Sequence, residues 1–261
     1  MARIFAITNQ KGGVGKTTTT VNLAAGLALL GKRVLLIDLD PQGNATMGSG
    51  IDKREVTHTV YHLLLDQAKL DEVVRRSDRA GYDVLAANRD LAGAEIELVD
   101  EEGREYRLRH ALAAVDGRYD YVLIDCPPAL NLLTVNALTA ANAVIIPMQC
   151  EYYALEGLTD LVNTVKKVKA GLNPGIEIEG LLRAMFDPRN TLAQQVSDQL
   201  KGHFGAKVYD TVIPRNVRVA EAPSYGLSVM AYDKTSRGAQ AYMQLAEEVV
   251  RREEGRQHGK A

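Results

Sequence analysis

The feature that most constrains this chain is a glycine-rich loop between a strand and a helix near its beginning. Residues 3–8 have the apolar pattern of a strand, and residues 16–30 have the pattern of a helix. Glycines stand between them at positions 12, 13 and 15. Glycine allows the backbone to aim successive N–H groups at an anion, and the helix adds its positive N-terminal end. The segment therefore predicts a cradle for the phosphates of a nucleotide.

The cradle departs from the common phosphate-loop pattern. Its members are, in order, Lys11, Gly12, Gly13, Val14, Gly15, Lys16, Thr17 and Thr18. Lys16 supplies a point charge for the β- and γ-phosphates, and the Thr17 hydroxyl is placed to coordinate Mg²⁺. The common pattern has a glycine where this chain has Gln10, and a second lysine, Lys11, opens the loop. This is the deviant Walker A motif, with its signature lysine, and it indicates a P-loop protein that binds a nucleoside triphosphate with Mg²⁺.

The rest of the chain alternates short apolar runs with helical segments, which is typical of βαβ units. Further strands are predicted at 32–38, 82–87, 119–125, 143–148, 176–186 and 207–213. Helices are predicted at 57–65, 90–115 (with a break near Gly103), 132–141, 155–170, 192–204 and 237–252. We expect an α/β fold with a mostly parallel twisted sheet flanked by helices on both faces. One domain spans residues 1–261, with a disordered tail from about residue 254.

Net charge and cysteine content indicate which partners and which compartment the chain suits. The formal net charge is −2, so any nucleic-acid contact needs a local basic patch. Cys126 and Cys150 have no paired spacing, which fits a reducing cytoplasm. The beginning of the chain lacks a signal-peptide pattern, and no apolar run approaches the ~18–20 residues that span a bilayer. We expect a cytoplasmic protein.

Three carboxylates are predicted at the same edge of the sheet as the cradle. Asp38 and Asp40 end the second strand, and Asp125 ends the strand 119–125. Ligands of parallel sheets bind outside the carboxyl ends of the strands. Asp125 is a candidate Walker B acid for Mg²⁺, and Asp40 is a candidate to orient the attacking water and to join the metal shell. For Asp38, a cap of a loop or helix and a place in the metal shell remain equal alternatives.

Together these segments resemble the ParA/Soj family of partition ATPases, over nearly the whole chain. The segments that carry the resemblance are 9–18, 38–44 (Asp-Leu-Asp-Pro-Gln-Gly-Asn), 123–128 (Leu-Ile-Asp-Cys-Pro-Pro), 149–157 (Gln-Cys-Glu-Tyr-Tyr-Ala-Leu-Glu-Gly), 213–216 (Ile-Pro-Arg-Asn) and 221–224 (Glu-Ala-Pro-Ser). Their combination is far more specific than the phosphate loop alone.

The resemblance implies a cycle of dimerisation and ATP hydrolysis with weak intrinsic activity. Two subunits close over two ATP molecules, and Lys11 reaches the partner subunit's phosphates. Asp40 matches a residue that supports hydrolysis. Glu151 matches one that contacts the ribose near the dimer seam, and Pro214 and Asn216 resemble the wall beside the adenine. The catalytic residues implied are thus Lys11, Lys16 and Asp40.

The resemblance also implies partners. The ATP-bound homodimer binds double-stranded DNA without sequence preference and associates with the nucleoid, and a protein of the ParB/Spo0J kind stimulates hydrolysis and releases it. Arg189 and Arg218 resemble DNA-contacting arginines of the family. Further candidate cations are Lys166, Lys167, Lys169, Arg183 and Arg215. Scattered surface cations are ordinary in soluble proteins, so for the three lysines a DNA contact and an ordinary solvent-exposed surface remain equal alternatives.

Three alternatives share parts of this pattern. A membrane-positioning ATPase like MinD ends in a basic amphipathic helix, but the polar face of the last helix here is mixed and acidic, which suits anionic lipid poorly. We therefore expect no membrane partner. An iron–sulfur reductase of the nitrogenase iron-protein type uses two cysteines per subunit, but neither cysteine here lies in a Gly-rich loop. Relatives of the same fold position other cargo, such as chemoreceptor arrays, carboxysomes or division regulators.

Overall fold

A computed structural model describes residues 2–115 and 117–258 of the chain. The strands are β1 Arg3–Ile7, β2 Val34–Asp38, β3 Val74–Ser77, β4 Tyr82–Leu85, β5 Tyr121–Asp125, β6 Ala143–Met148, β7 Glu177–Phe186 and β8 Val208–Pro214. The helices are α1 Lys16–Leu29, α2 Asn44–Gly48, α3 Val60–Leu64, α4 Leu70–Val73, α5 Leu91–Glu97, α6 Arg107–Leu112, α7 Leu132–Ala140, α8 Ala154–Gly171, α9 Thr191–Phe204, α10 Val217–Glu221, α11 Val229–Tyr232 and α12 Arg237–His258. Short 3-10 turns lie at Arg104–Tyr106, Ala113–Val115, Gly205–Lys207 and Ala222–Tyr225.

The eight strands form one sheet in the order β3-β4-β2-β5-β1-β6-β7-β8. Every pairing is parallel except that of β3 with β4. The chain goes from β1 to one side of the sheet for β2, and later to the other side for β6. This reversal of direction opens a crevice at the carboxyl ends of the strands around β1, where parallel α/β sheets bind their ligands.

Helices cover both faces of the sheet, because the central strands are apolar on both sides. On one face α1 and α12 pack together, and a β-carbon on Gly26 would lie only 2.8 Å from the Ala246 side chain. On the other face lie α3 to α9. The expected α/β fold is confirmed.

The structure contains elements that the sequence patterns did not predict. β3 is an edge strand whose Arg75 and Arg76 are exposed, so its apolar signal is weak. Helix α2 lies between the predicted strand 32–38 and the predicted helix 57–65, where the sequence patterns indicate no helix. Helix α12 continues to His258, so residues 254–258 are helical where we expected a disordered tail, and residues 259–261 lie outside the described ranges.

Candidate functional site

The glycine-rich loop forms an open cradle between β1 and α1. Gly13 and Gly15 have φ angles of +73° and +91°, which glycine adopts without strain. The first backbone hydrogen bond into α1 runs from the Thr19 N–H to the Gly15 carbonyl at 2.8 Å. Among the described residues, no amide of positions 12–18 donates to another protein group. Such a row of free donors at a helix N-terminus is the geometry that binds phosphate.

The two lysines of the loop have different surroundings. Lys16 is buried, and its Nζ donates to the Lys11 carbonyl oxygen at 3.2 Å. Burial lowers the pKa of Lys16, while the nearby Asp125 and Asp40 carboxylates oppose that shift. Lys11 instead projects outward and pairs with Glu151 of the same chain, Nζ to Oε2, at 2.5 Å, with both side chains 51% exposed. One lysine therefore belongs to the cradle, and the other stands at its outer face.

Asp125 anchors the start of α1. Its Oδ2 accepts a hydrogen bond from the Thr17 hydroxyl at 2.7 Å, and its Oδ1 accepts one from the Thr20 hydroxyl at 3.0 Å. Burial, together with the neighbouring Asp38 carboxylate, raises the pKa of Asp125. Thr20 was not identified from the sequence. Its position four residues after Lys16, one helical turn further on, was the available signal.

Asp38 is fully buried and caps α2 from the end of β2. Its Oδ2 accepts hydrogen bonds from the Thr46 amide and from the Thr46 hydroxyl, both at 2.7 Å, and its Oδ1 accepts one from the Asp40 amide at 3.2 Å. These contacts favour the capping alternative over a place in the metal shell. Thr46, which the sequence analysis missed, also accepts a hydrogen bond from the Ala87 amide.

Asp40 lies half-buried at the beginning of the loop before α2. Its Oδ1 accepts a hydrogen bond from the Gln42 amide at 2.9 Å, and its carbonyl accepts one from Gly43 at 2.8 Å. It lies near enough to the cradle that its charge affects Lys16 and Asp125. The structure thus places Asp40 beside the cradle, with its carboxylate turned into its own loop.

The donor set fits a nucleoside triphosphate with Mg²⁺. The free amides and Lys16 suit phosphate oxygens, and the oxygens of Thr17 and Asp125 are hard ligands of the kind that Mg²⁺ takes. Within residues 2–115 and 117–258, no group of three or more His, Cys, Asp or Glu side chains is arranged to hold a metal. This agrees with the usual magnesium site in such proteins, where protein ligands are few and phosphates and waters complete the shell.

Pro214 and Asn216 lie where β8 leads into α10. Pro214 is the last residue of β8, and Asn216 is the N-cap of α10, with its side-chain oxygen accepting from the Val219 amide at 3.2 Å. A β-carbon on Gly238 of α12 would lie 3.2 Å from the Asn216 side chain. Their structural roles are therefore the end of a strand and a helix cap, at the same carboxyl edge as the cradle.

The two arginines proposed for DNA are exposed and held by local carboxylates. Arg189 is 89% exposed and forms two hydrogen bonds to Asp187, at 2.8 Å and 3.0 Å. Arg218 of α10 pairs with Glu221 at 2.8 Å and with Asp233 at 3.5 Å. Each guanidinium is therefore paired with carboxylates close to it in the structure.

One candidate cation is corrected by the structure. Arg183 is only 4% exposed, and its guanidinium donates to Ser197 and to the carbonyls of Tyr209 and Asp210, so it is a core residue. Sequence alone does not distinguish a buried from an exposed position here, because a single arginine in an apolar strand is compatible with either. Arg215, Lys166, Lys167 and Lys169 are exposed.

The membrane-binding alternative depends on the last helix, and the iron–sulfur alternative depends on the two cysteines; the structure buries the apolar side of that helix and both cysteines. The apolar stripe of α12, including Tyr242, Leu245 and Val249, packs against α1 and the sheet. Both cysteines are buried, and burial raises the thiol pKa of Cys126 and of Cys150. No helix in the described ranges is both long enough and apolar enough to cross a bilayer.

Comparisons with known proteins agree with this geometry. A family model described as an AAA domain matches residues 2–178. The sporulation initiation inhibitor protein Soj of Bacillus subtilis is 57% identical over 250 residues, covering 96% of this chain and 99% of that protein. The chromosome partitioning protein ParA of Caulobacter vibrioides is 54% identical over 257 residues, covering 98% of this chain and 96% of that protein.

A solved structure shares both the fold and the nucleotide chemistry. The cobyrinic acid a,c-diamide synthase of Mycobacterium smegmatis, with bound ATP analogue and magnesium, superposes with a TM-score of 0.84 at 39% identity, covering 96% of this chain and 95% of that one. Three findings indicate the same family: the deviant glycine-rich loop, the strand order, and the full-length similarity to Soj and ParA. The chain belongs to the ParA/Soj family of chromosome-partitioning ATPases.

Proposed function

We propose that this chain is an ATP hydrolase that uses Mg²⁺ and segregates a chromosome or plasmid by cycling on and off DNA. ATP-bound subunits close into a sandwich dimer, the dimer binds DNA without sequence preference, and a ParB-type partner stimulates hydrolysis and releases it. The observation that carries the proposal is the outward position of Lys11 beside a complete cradle. A lysine that served only its own phosphates would have no reason to lie at the outer face.

In the single subunit Lys11 pairs with Glu151, and in the dimer it would pair with the partner subunit's phosphates instead. Exposed ion pairs contribute only about 0–1 kcal/mol, so a partner's phosphates can displace Glu151 from Lys11 at small cost. Glu151 is then free to meet a ribose at the dimer seam. In this arrangement Lys16, Thr17 and Asp125 act in cis, Lys11 acts in trans, and Asp40 turns from its loop to orient the attacking water.

The surface around the cradle supports closure by a second copy. Tyr152 and Tyr153 follow Glu151 directly and are 74% and 70% exposed, and Leu130 is 51% exposed on the loop after Asp125. Large apolar side chains exposed together at one edge are typical of interaction sites. A dimer would also double the number of arginines offered to DNA, so that ATP binding increases DNA affinity.

The deciding experiment measures ATP hydrolysis under four conditions: alone, with duplex DNA, with a ParB-type protein, and with both. We expect slow hydrolysis alone and a more than additive rise with both. In cells, a fluorescent fusion should follow the cytoplasmic nucleoid. A hydrolysis rate that does not respond to DNA would contradict partition and favour the alternative, a same-fold ATPase that positions another cargo.

The membrane-associated form of that alternative has its own test. The exposed face of α12 carries Glu247 and Glu254 as well as Arg251, and this mixed charge argues against binding to anionic lipid. Co-sedimentation with anionic vesicles in ATP should leave the protein in the supernatant. Recovery of most of the protein with the vesicles would favour the MinD-like alternative.

A further inference from the structure

Strand β7 contains a bulge next to the cradle. Arg183 pairs with Val212 and Phe186 pairs with Pro214, so β7 has one residue more than β8 between these pairs. Met185, inside the bulge, has a φ angle of +50°. Positive φ is uncommon for a residue with a side chain, and it persists where the surroundings fix it. Bulges beside functional sites often redirect one side chain.

The redirected side chain lies against the glycine-rich loop. The Met185 sulfur accepts a hydrogen bond from the Gln149 Nε2 at 3.1 Å. The same Nε2 lies 3.3 Å from the Gly13 carbonyl oxygen, to which it also donates. A β-carbon built on Gly15 would lie 4.0 Å from the Met185 Cε, so the methyl group faces the Gly15 backbone. Met185 and Gln149 therefore reach two glycines of the cradle.

The contact at Gly13 controls the orientation of a peptide. The bond between Gly13 and Val14 is planar and trans, so its carbonyl oxygen and its N–H point in opposite directions. When Gln149 holds the Gly13 carbonyl, the Val14 N–H must point away from Gln149. A β-carbon on Gly12 or on Gly13 would have no atom within 4 Å, so packing at these two positions does not restrain the loop. Glycine backbones are otherwise free to rotate.

We propose that Gln149 and Met185 are positioning residues that set the cradle in its phosphate-binding conformation before nucleotide arrives. Gln149 holds the peptide, and Met185, fixed by the bulge, holds the Gln149 amide in place. Because a preformed cradle binds with a smaller loss of conformational freedom, the pair contributes to nucleotide affinity without touching the nucleotide. The inference rests on the nucleotide-binding part of the proposed function and is independent of DNA.

The test is a double-mutant cycle on ADP binding with Mg²⁺, measured by calorimetry. Gln149→Leu should weaken ADP binding about fivefold, the effect of one ordinary hydrogen bond. Met185→Leu, which keeps the volume and removes the sulfur, should weaken it about two- to threefold. The double variant should bind like Gln149→Leu alone, because the sulfur has nothing to position once the amide is gone. Met243→Leu, at a half-buried methionine of α12, is the matched control and should bind like the wild type.

Two results would overturn the inference: unchanged ADP affinity in Gln149→Leu, or single effects that simply multiply in the double variant. Urea denaturation of the nucleotide-free variants completes the test, because residues in contact can also couple through packing: the coupling is expected in ADP affinity and not in the free energy of unfolding. If Gln149→Leu fails to fold, Gln149→Met keeps a similar size, removes the donor without adding a charge and carries the same expectation. A wild-type chain that does not bind ADP would overturn the nucleotide-binding proposal itself, which separates the two failures.

Discussion

Asp38 and Asp125 are register partners at the ends of two neighbouring parallel strands, yet their carboxylates serve different elements. Asp125 accepts hydrogen bonds from Thr17 and Thr20 of α1, whereas Asp38 accepts them from Thr46 of α2 and from the Asp40 amide before that helix. Burial raises the pKa of both carboxyl groups, and the hydrogen bonds that each accepts oppose this rise. The pair therefore joins the cradle to the loop that carries Asp40 through the sheet.

The first prediction concerns Asp38 as a cap. Asp38→Asn should lower the free energy of unfolding by about 1–3 kcal/mol. Both carboxylate oxygens of Asp38 accept hydrogen bonds from Thr46 or Asp40, and the NH₂ group of asparagine would replace one of these acceptors with a donor. Urea denaturation of the protein without nucleotide measures this. Thr46→Ser, which retains the hydroxyl, should cost much less than Thr46→Val. Equal stability of Asp38→Asn and wild type would return Asp38 to the metal-shell alternative.

The second prediction concerns the oxygens proposed for Mg²⁺. Thr17→Ala and Asp125→Asn should each remove most of the increase in ATP affinity that Mg²⁺ provides, because each loses an oxygen suited to that cation. Titrations of a fluorescent ATP analogue with Mg²⁺ and with EDTA measure the increase. Thr17→Ser keeps the hydroxyl and is the control. An undiminished effect of Mg²⁺ in both variants would show that other groups hold the metal.

The third prediction concerns Lys11. Lys11→Ala should leave ATP affinity of the monomer within about threefold of wild type, because the exposed pair with Glu151 contributes little. It should nevertheless abolish ATP-dependent dimerisation and hydrolysis. Light scattering of the eluting protein in ATP measures the dimer. Arg33→Ala removes another exposed, paired cation far from the cradle and should still dimerise. A stable Lys11→Ala dimer would show that Lys11 is not needed between the subunits and that the loop binds phosphate only within its own chain.

The fourth prediction concerns the DNA-contacting arginines. Arg218→Glu should abolish DNA binding while ATP-dependent dimerisation is retained, and Arg189→Ala should lower the slope of log affinity against log salt by about 1 per lost phosphate contact. Arg54→Glu is the matched control, since Arg54 is exposed and pairs with Asp52 much as Arg189 pairs with Asp187. An Arg218→Glu protein that shifts DNA normally in ATP would exclude this surface.

The fifth prediction concerns acid stability. Glu248 of α12 accepts hydrogen bonds from the Asp210 and Thr211 amides and pairs with Arg252. Although burial alone would raise its pKa, the hydrogen bonds from Thr211 and Asp210 and the charge of Arg252 lower the pKa of Glu248 below its ordinary value. A depressed pKa in the folded state stabilises the protein above the unfolded pKa of about 4.3, and that stability is lost as the pH falls through the folded pKa.

Glu248→Gln should therefore reduce the free energy of unfolding at pH 7 by about 1–3 kcal/mol and flatten its decline below pH 5. Denaturation curves between pH 3 and pH 7 (chosen to bracket about 4.3) measure this. Glu247→Gln, at the exposed neighbouring position, is the control and should leave the curve unchanged. A Glu248→Gln protein with the acid profile of the wild type would rule out this linkage.

The sequence by itself determined the elements whose signal is local. The glycines, lysines and threonines of the cradle, the apolar runs of the parallel strands and the aspartates at their ends follow from spacing and side-chain chemistry, and the α/β class and the family were predicted from them. Sheet order could not be obtained in the same way. It depends on which strands pair across large sequence distances, and that choice is made by packing of the whole core.

Only the tertiary structure decided the contacts that join distant segments. It showed that Asp38 caps α2. This could not be predicted, because Thr46, which donates hydrogen bonds to Asp38, lies in a helix too short to be recognised from sequence. It placed Arg183 in the core, where the Ser197 hydroxyl and the carbonyls of Tyr209 and Asp210 accept hydrogen bonds from its guanidinium. It also brought Gln149 and Met185 to a loop more than 130 residues away. Residue type sets what a side chain can bond to, but the fold decides which partner is within reach.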